Sequence, residues 1–454
     1  MINKIDSEVL RIYKRLEDSG FEVYFVGGCV RNLLLNQTPK DWDLTTNATP
    51  EEMLSVFPNA FYDNAFGTVG IPLPNTPEIE HPGVVEITTY RTESAYSDHR
   101  KPTSVSWGKT IEEDLSRRDF TMNAIAAKIT DTFEITDPYN GQADIKKKLV
   151  KSVGNPTERF KEDALRLMRA VRFATQLSFS IEPETLKAIT EDAPLLSHIS
   201  GERIRDELLK ILTSNNAYEG IMLLDATGLL ELILPELKTG KGVSQERPGR
   251  HHTTDVFTHN VLSLKHTTST DPIVRLATLL HDVGKPAVRS EDENGLVIFY
   301  NHEVAGARIA KQICERLRLS RKQKEKIATL IRWHMFTVDE HITDSAIRRF
   351  IRRVGVENVK DMMDLRIGDR LGGGTQVAES WRLKKFKERI SAELNPPFSI
   401  NDLVVDGTDI MNELKIEPGR RIGEILQILF EEVDENLELN NREYLIKRIH
   451  ELNK

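Results

Sequence analysis

The sequence is poor in cysteine, in long apolar runs and in excess positive charge. Two cysteines, Cys29 and Cys314, stand far apart in 454 residues. That excludes a disulfide framework and a CxxC metal knuckle, and it suits a reducing compartment. No stretch approaches the roughly 18 consecutive apolar residues of a membrane span. The first twenty residues, MINKIDSEVLRIYKRLEDSG, are charged and helix-periodic and lack the apolar core of a secretory signal. A cytoplasmic protein that engages no membrane is therefore expected. Lys and Arg total 62 against 70 Asp and Glu, a net charge of −8. Nucleic acid, if bound, must meet a local basic face. No internal repeat or low-complexity tract appears. What is present is an ordinary folded composition, 39% hydrophobic and 29% charged, of a length that suits roughly two to four domains.

The hydrophobic patterning divides the chain. Residues 1–145 read as mixed α/β: an amphipathic helix near 4–18, the buried strand FEVYFV, the short helix VRNLLL, the strands DWDLTT and VVEITTY, and TFEITDP closing in a turn. Beyond 145 strand signals almost vanish. EDALRLMRAVRFATQ, GERIRDELLKILTS, AYEGIMLLDATGLL, IVRLATLLHDVG, EVAGARIAKQICERLRL and RKQKEKIATLIRWHM all read as helices. The expectation is an α+β fold, a small mixed-sheet head followed by a long all-α body. Polar stretches at 239–254 and 393–398 are candidate breaks. The segment 91–110, RTESAYSDHRKPTSVSWGKT, reads as polar and strand-poor.

Chemistry first concentrates at residues 25–46, FVGGCVRNLLLNQTPKDWDLTT. Gly27 and Gly28 fall where a strand turns into a helix, so backbone N–H groups can approach a phosphate. Arg31, one turn on, can reach the same anion. Asp41 and Asp43 flank Trp42, and alternation in a strand points both carboxylates to one side. Two carboxylates beside a phosphate cradle make a Mg²⁺ site for phosphoryl transfer. Glu86, in the alternating strand VVEITTY, is a candidate third carboxylate. The bland alternative is a turn with two surface aspartates.

Two further segments carry charge in a pattern. In DLSRRDFTMNA (114–124), Arg117 and Arg118 adjoin Asp119 and Asn123 and can bind triphosphate and ribose; a local Arg117–Asp119 ion pair is the alternative. In EDALRLMRAVRF (162–173), Asp163, Arg166, Arg169 and Arg172 recur every third residue, a slowly drifting helical stripe. A solvated, salt-bridged face would have the same pattern.

A separate constellation lies downstream. His281 and Asp282 end an apolar helix, with His259 before them and His302, His334 and Asp369 after. Neutral imidazoles with carboxylates suit divalent transition metals. Structural histidines are the alternative reading.

These motifs carry a resemblance over nearly the whole chain. The GG-x-x-R…D-W-D segment resembles the signature of the polymerase-β nucleotidyltransferase superfamily. More narrowly it resembles the class II, bacterial-type CCA tRNA nucleotidyltransferases and poly(A) polymerases. The resemblance implies that Asp41 and Asp43 hold Mg²⁺ for two-metal displacement of pyrophosphate by an RNA 3′-hydroxyl. It implies nucleotide-binding roles for Gly28, Arg31, Arg118, Asp163, Arg166, Arg169 and Arg172. An Asp accepts and an Arg donates. Cytosine and adenine both offer an amine beside a ring acceptor, so Asp163 and Arg166 would select CTP and ATP. Uracil and guanine present the reverse pattern and would leave buried groups unpaired.

The family assignment divides the chain into a nucleotidyltransferase head (1–145), a helical neck with the base-selecting residues (146–238), an HD domain (239–375) and a tRNA-binding helical tail (376–454). Residues 200–212 resemble the family's neck helix; a plain helix capped by Ser200 fits equally. Lys415, Arg420 and Arg421 are candidate phosphate contacts in the tail, or ordinary surface charges. His259, His281, Asp282 and Asp369 resemble the metal ligands of the HD phosphohydrolases, with His302 and His334 suggesting a second position; the metal and substrate are open. Residues 91–110, with DHRKP at 98–102, resemble the loop that CC-only enzymes tend to lack. Expected partners are tRNA, CTP and ATP. Alternatives are an enzyme adding only A or only CC, a poly(A) polymerase, or an HD phosphohydrolase with a vestigial head. Cys29 and Met122 stand where alanine and isoleucine are more usual, small apolar changes that alter none of this.

Overall fold

The computed structural model describes residues 2–62, 67–73, 83–97, 101–130, 133–245, 254–339, 341–393 and 399–453, with backbone alone over 93–97 and 101–106. It forms two compact units, Met1–Lys238 with Arg316–Arg318, and Thr239–Glu315 with Leu319–Lys454.

The first unit begins with α1 (Ser7–Asp18), capped by the Asp6 carboxylate, which accepts from the Glu8 N–H. Its apolar face (Val9, Ile12, Tyr13, Leu16) is buried. The chain then runs through β1 (Val23–Val26), α2 (Gly28–Leu34), β2 (Trp42–Thr46), α3 (Pro50–Val56), β3 (Phe61–Tyr62), β4 (Thr68–Pro72) and β5 (Val84–Thr89). After β6 (Arg91–Ser97), β7 (Lys101–Trp107) and α4 (Ile111–Ser116) come β8 (Ala126–Ile129) and β9 (Phe133–Thr136). Seven strands form one sheet in the order β3-β4-β5-β2-β1-β8-β9. Only β2 and β5 run parallel. The alternation in VVEITT is realised in β5, where Val85, Ile87 and Thr89 are buried. Phe25, fully buried on β1, stacks on Tyr13 at 5.2 Å, tying α1 to the sheet. Burying a Phe of this kind contributes about 2–3 kcal/mol.

Segment 91–110 departs from its strand-poor reading. β6 and β7 pair antiparallel from Arg91–Trp107 to Ser97–Lys101, a hairpin separate from the main sheet. Its polar residues misled because backbone pairing needs no apolar alternation. Asp98, His99 and Arg100 of DHRKP lie outside the described residues, as do parts of both candidate breaks (246–253 and 394–398). TFEITDP likewise forms an edge strand, β9, before it turns.

Helices follow: α5 (Gly141–Lys147), α6 (Pro156–Glu162), α7 (Leu165–Leu177), α8 (Pro183–Asp192), α9 (Gly201–Leu212), α10 (Ala217–Ala226), α11 (Leu229–Ile233) and α12 (Pro235–Lys238). The two-residue strands β10 (Leu149–Val150) and β11 (Ser180–Ile181) are the sole strands here among the described residues. The single helix expected across 162–173 is two helices. Asp163 is extended (φ −141°, ψ 103°) at the end of α6, and α7 starts at Leu165. Asp163 therefore stands off the arginine stripe. Its carboxylate accepts from the Leu165 N–H at 3.1 Å, competing with helix continuation as short polar side chains do.

The second unit comprises α13 (Val256–His266), α14 (Pro272–Leu280), the small hairpin β12 (Ser290–Glu291) and β13 (Val297–Ile298), α15 (His302–Arg316), α16 (Arg321–Trp333), α17 (Asp344–Val354), α18 (Val359–Gly372), α19 (Trp381–Glu393), α20 (Gly407–Leu414), α21 (Arg420–Glu435) and α22 (Arg442–Leu452). The last three helices share a core of Ile410, Ile425, Leu429, Val433, Leu445 and Ile449. A mixed-sheet head followed by a long helical body is the architecture the sequence predicts. None of the described helices is long and apolar enough to cross a membrane.

Candidate active site and metal centre

In the first unit the site forms where β1 turns into α2. Gly27 adopts φ +70°, open to glycine at little cost. A Cβ built there would lie 2.9 Å from Arg118 Nη1 and 3.6 Å from Asp43 Oδ2. The glycine thus marks where the arginine and the aspartate converge. Asp43 is half-buried on β2, directly beside Glu86 of β5 in the parallel register. Asp41 is exposed just before β2. Among the described residues no N–H or O–H hydrogen-bonds to the Asp41 or Asp43 carboxylates. Burial pushes the Asp43 carboxyl up, assisted by Asp41 and opposed by Arg118. A partly desolvated carboxylate beside an exposed one, neither with a donor, suits a hard cation with oxygen ligands. The residues therefore fit Mg²⁺.

The basic side of the site is built from α2, the end of α4 and α7. Arg31 is buried, and its guanidinium donates to the amide oxygens of Asn123 (2.7 Å) and Asn32 (2.9 Å), with no carboxylate among its hydrogen-bond partners. Burial, with the nearby charge of Arg172, brings its pKa down to about 10. Arg31, Arg169 and Arg172 surround Phe173, their guanidinium carbons 5.2, 5.4 and 3.9 Å from the ring centroid. Cation–π contact offsets part of the cost of gathering like charges. Arg117 and Arg118 both donate to buried Asp114, at 2.5 and 2.9 Å. Asp119 turns instead to Arg169 (2.5 Å) and to the Asn123 amide (3.1 Å). Burial raises the Asp119 pKa, but Arg169 more than reverses this and holds it far below the usual carboxylate range.

Asp163 and Arg166 do not pair with each other. Asp163 Oδ2 accepts from Arg203 of α9 at 2.7 Å. Arg166 donates to Glu162 at 2.7 Å and to the carbonyls of Arg159 and Arg117. Arg172 meets buried Glu207 of α9 at 2.5 Å. The sequence reading missed Asp114, Arg203, Glu207 and Phe173 as members of this network. The helical repeat in GERIRDELLKIL placed Arg203 and Glu207 on a helix but gave no sign of their partners. Ser200 sits at the N-cap of that helix.

In the second unit His259 (α13), His281 and Asp282 (after α14), His302 (start of α15), His334 (after α16) and Asp369 (α18) meet in one cluster, buried but for the half-buried Asp369. His259 Nε2 lies 3.1 Å from His281 Nε2, 3.4 Å from Asp282 Oδ2 and 3.3 Å from Asp369 Oδ1. His281 Nε2 lies 3.4 Å from Asp282 Oδ2 and 3.6 Å from Asp369 Oδ1. Tetrahedral ligands about 2.1 Å from one ion stand about 3.4 Å apart, so His259, His281 and Asp282 have metal-ligand spacing, with Asp369 beside both imidazoles. His281 Nδ1 donates to the Thr278 carbonyl at 2.8 Å, which turns the Nε2 lone pair inward. Lys285 donates to Asp282 Oδ2 at 2.5 Å and reaches Gln245. Burial raises the Asp282 pKa, but Lys285 and His281 pull it well below the carboxylate range. A cavity of about 370 Å³ opens onto His302, His334, Asp282 and Asp369, with Arg366 and Tyr300 on its walls.

Residues 23–151 match the model of the poly A polymerase head domain, 178–240 that of the probable RNA and SrmB-binding site of polymerase A, and 262–370 that of the HD domain. The chain carries a poly A polymerase head domain, the RNA-binding segment of that polymerase and an HD domain. The CCA-adding enzyme of Geobacillus thermodenitrificans is 47% identical over 224 residues, 49% of this chain and 53% of that one. The CCA-adding enzyme of Listeria monocytogenes serotype 4b is 44% identical over 247 residues, 54% of this chain and 60% of that one. The matched part spans just over half the length of these curated relatives. A crystal structure of the Bacillus stearothermophilus CCA-adding enzyme in complex with CTP superposes with a TM-score of 0.72 at 28% identity, covering 98% of this chain and 97% of that one. The Thermotoga maritima CCA-adding enzyme complexed with tRNA shares the fold, with a TM-score of 0.59 at 18% identity over 100% of this chain and 97% of that one.

In the last helices of the second unit and the turns between them, Lys415, Arg420 and Arg421 are exposed. Arg420 lies 3.2 Å from Glu424, and Arg421 donates to the Leu452 carbonyl at 2.6 Å.

Proposed function

We propose that this chain is a CCA-adding tRNA nucleotidyltransferase of the cytoplasm. It adds or repairs the 3′-terminal CCA of tRNA from CTP and ATP, without a nucleic-acid template. The observation that carries the reading is the convergence on Gly27 of Arg118 and Asp43, with Arg31 turned to amides rather than to an acid. A guanidinium pair beside donor-free carboxylates fits a triphosphate and its metal.

Asp41 and Asp43 would hold Mg²⁺, which supplies Lewis-acid stabilisation of an in-line displacement that releases pyrophosphate. Gly28, Arg31 and Arg118 bind the triphosphate. Asp163 and Arg166 choose the base. Arg203 takes one lone pair of Asp163 Oδ2 and leaves others to accept an exocyclic amine. Arg166 keeps Nε and one Nη2 hydrogen to donate to a ring nitrogen. Arg169 and Arg172 line the nucleotide side.

Residues 1–145 then act as the catalytic head and 146–238 as the neck. Residues 239–375 form the HD domain, with a divalent cation on His259, His281, Asp282 and Asp369 that serves phosphoester hydrolysis. Residues 376–454 meet tRNA, through Lys415, Arg420 and Arg421 among others.

The test is addition to three tRNA transcripts, ending before CCA, after C and after CC, with Mg²⁺ and CTP, ATP or both. CC followed by a single A, abolished in Asp41→Ala and Asp43→Ala, is the expected result. Addition of only A or only C would make this a partial enzyme. Long A tails would move it to the poly(A) polymerases. Addition that survives both substitutions would overturn the metal assignment.

A further inference from the structure

A row of directly paired residues leads across the sheet away from the carboxylates of the head. Asp43 pairs with Glu86, Glu86 with Gly70, and Gly70 with Phe61 of the edge strand β3. Directly paired residues project from one face of a sheet, so this row shares the face of the Asp43 side chain. Pro72 and Val84 pair with each other two residues along, and the two-residue repeat puts them on that face too. The opposite face is sealed, with Val69, Ile71, Val85 and Ile87 buried. On the Asp43 face Glu86, Pro72 and Val84 are exposed.

Phe61 is 44% exposed although its ring reaches back over β4. A Cβ at Gly70 would lie 2.5 Å from Phe61 Cζ, so only a glycine admits the ring there. Phe61, Pro72 and Val84 thus make an apolar strip that runs up to Glu86 and the metal-holding carboxylates. Such a strip with a polar rim marks a binding surface. β3, β4 and β5 contain no Lys or Arg, so the strip offers ring and aliphatic contact and no grip on phosphate.

Direction decides the occupant. Gly27 and Arg118 meet Asp43 at the end of β1, whereas β5, β4 and β3 lie on the other side of β2. In an in-line displacement the attacking oxygen stands opposite the departing pyrophosphate. With the triphosphate held on the β1 side, the RNA 3′-hydroxyl enters from the β5 side. Its nucleotide then lies over the strip. Strands stand about 4.8 Å apart, so Phe61 is about 14 Å from Asp43 across three intervals, and its ring leans back by one. Unpaired RNA ends are recognised by stacking on aromatic side chains.

We propose that this strip seats the 3′ end of the acceptor RNA, with the Phe61 ring stacked on the terminal base and Pro72 and Val84 beside it. The assignment rests on the proposed nucleotide transfer to RNA, and a binding readout that needs no transfer separates the two claims.

The experiment uses the full chain and a tRNA transcript ending in CC, its last base replaced by 2-aminopurine, whose fluorescence falls on stacking. Binding by the parent should quench it. Phe61→Ala should bind roughly tenfold more weakly and lose the quench at saturation, and Phe61→Trp should restore both. The salt dependence of affinity should not change, since no phosphate contact is lost. With the unmodified transcript and ATP, the KM for RNA should rise about tenfold in Phe61→Ala while the KM for ATP holds. An unchanged affinity and quench, or an equal rise in both KM values, would overturn the seat. A transcript lacking only its terminal base needs no substitution in the protein. The parent should bind it more weakly than the intact transcript, and equal affinity would overturn the stacking. A parent that binds and quenches but adds no nucleotide would overturn the transfer and leave the seat. A parent that binds no RNA would overturn both. A dimer that Phe61→Ala dissolves would give the strip to a second copy of the chain and overturn the RNA assignment.

Discussion

Arg203 of α9 holds Asp163 at 2.7 Å, across 40 residues of sequence. The proposed base-reading carboxylate is thus set by α9 and not by the side chain of Arg166, three positions away. A carboxylate that reads a base must be fixed, because discrimination depends on leaving the wrong base unpaired.

Arg203→Ala frees Asp163 to rotate. Addition of UMP or GMP, relative to CMP and AMP, is expected to rise roughly tenfold, the order that one lost polar constraint gives. Arg203→Lys should recover part of the discrimination. Single-nucleotide sizing of products with each of the four triphosphates reads this directly. Uniformly slower addition with unchanged base preference would refute the positioning role.

Gly27→Ala forces an L side chain into φ +70°, at a cost of about 1–2 kcal/mol. It also drives a methyl to 2.9 Å from Arg118 Nη1, whose guanidinium is tied to Asp114. The KM for CTP and ATP should rise about tenfold or more while the fold persists. Steady-state kinetics beside a circular dichroism spectrum would check both halves of the claim.

Glu207→Ala leaves Arg172 charged and buried without its 2.5 Å partner. Removing one member of a buried pair costs about 3–5 kcal/mol. The urea midpoint of the first unfolding transition should fall accordingly, and a midpoint within error of the parent would show the pair to be dispensable.

The depressed pKa of Asp119 makes a signed prediction about acid. Its folded value lies below its unfolded value near 4, so the unfolded chain takes up the proton first. The stability that the ion pair with Arg169 contributes is fully present above pH 4 and is lost as pH falls through the folded value. Arg169→Gln should lower stability at pH 7 and flatten the acid-side slope of unfolding free energy. An unchanged slope between pH 5 and pH 2 would mean that Asp119 is not the group responsible.

Both cysteines are buried, and burial pushes the Cys29 thiol up to about 12 and the Cys314 thiol to about 11. At pH 8 the thiolate fraction is on the order of 10⁻³ or less. Iodoacetamide labelling of the native chain should follow unfolding, and fast labelling of Cys29 would show that the β1–α2 turn opens locally.

Short-range chemistry was readable in the sequence because it depends on local geometry. The Gly27–Gly28 turn needs only backbone freedom, and Asp41 and Asp43 need only the two-residue repeat of an extended chain. Adjacent His281 and Asp282 at a helix end announced the second cluster in the same way. Apolar periodicity likewise gave the mixed head and the helical body. Tertiary structure decided which charges meet. Asp119 takes Arg169 from 50 residues away, Arg172 takes Glu207 from 35, and Asp163 takes Arg203 from 40. A stripe of arginines looks the same whether it faces water or an acid on another helix, so periodicity cannot choose among partners. It also cannot see a helix broken at Asp163, where a side chain captures the N–H two residues on. Nor could it give the hairpin of β6 and β7, whose pairing lies in backbone hydrogen bonds that any polar sequence can make. The division of Asp282 between two pairs of imidazoles came last of all. It required α13, α14, α15 and α16 to pack before His259, His302 and His334 could meet the adjacent His281 and Asp282.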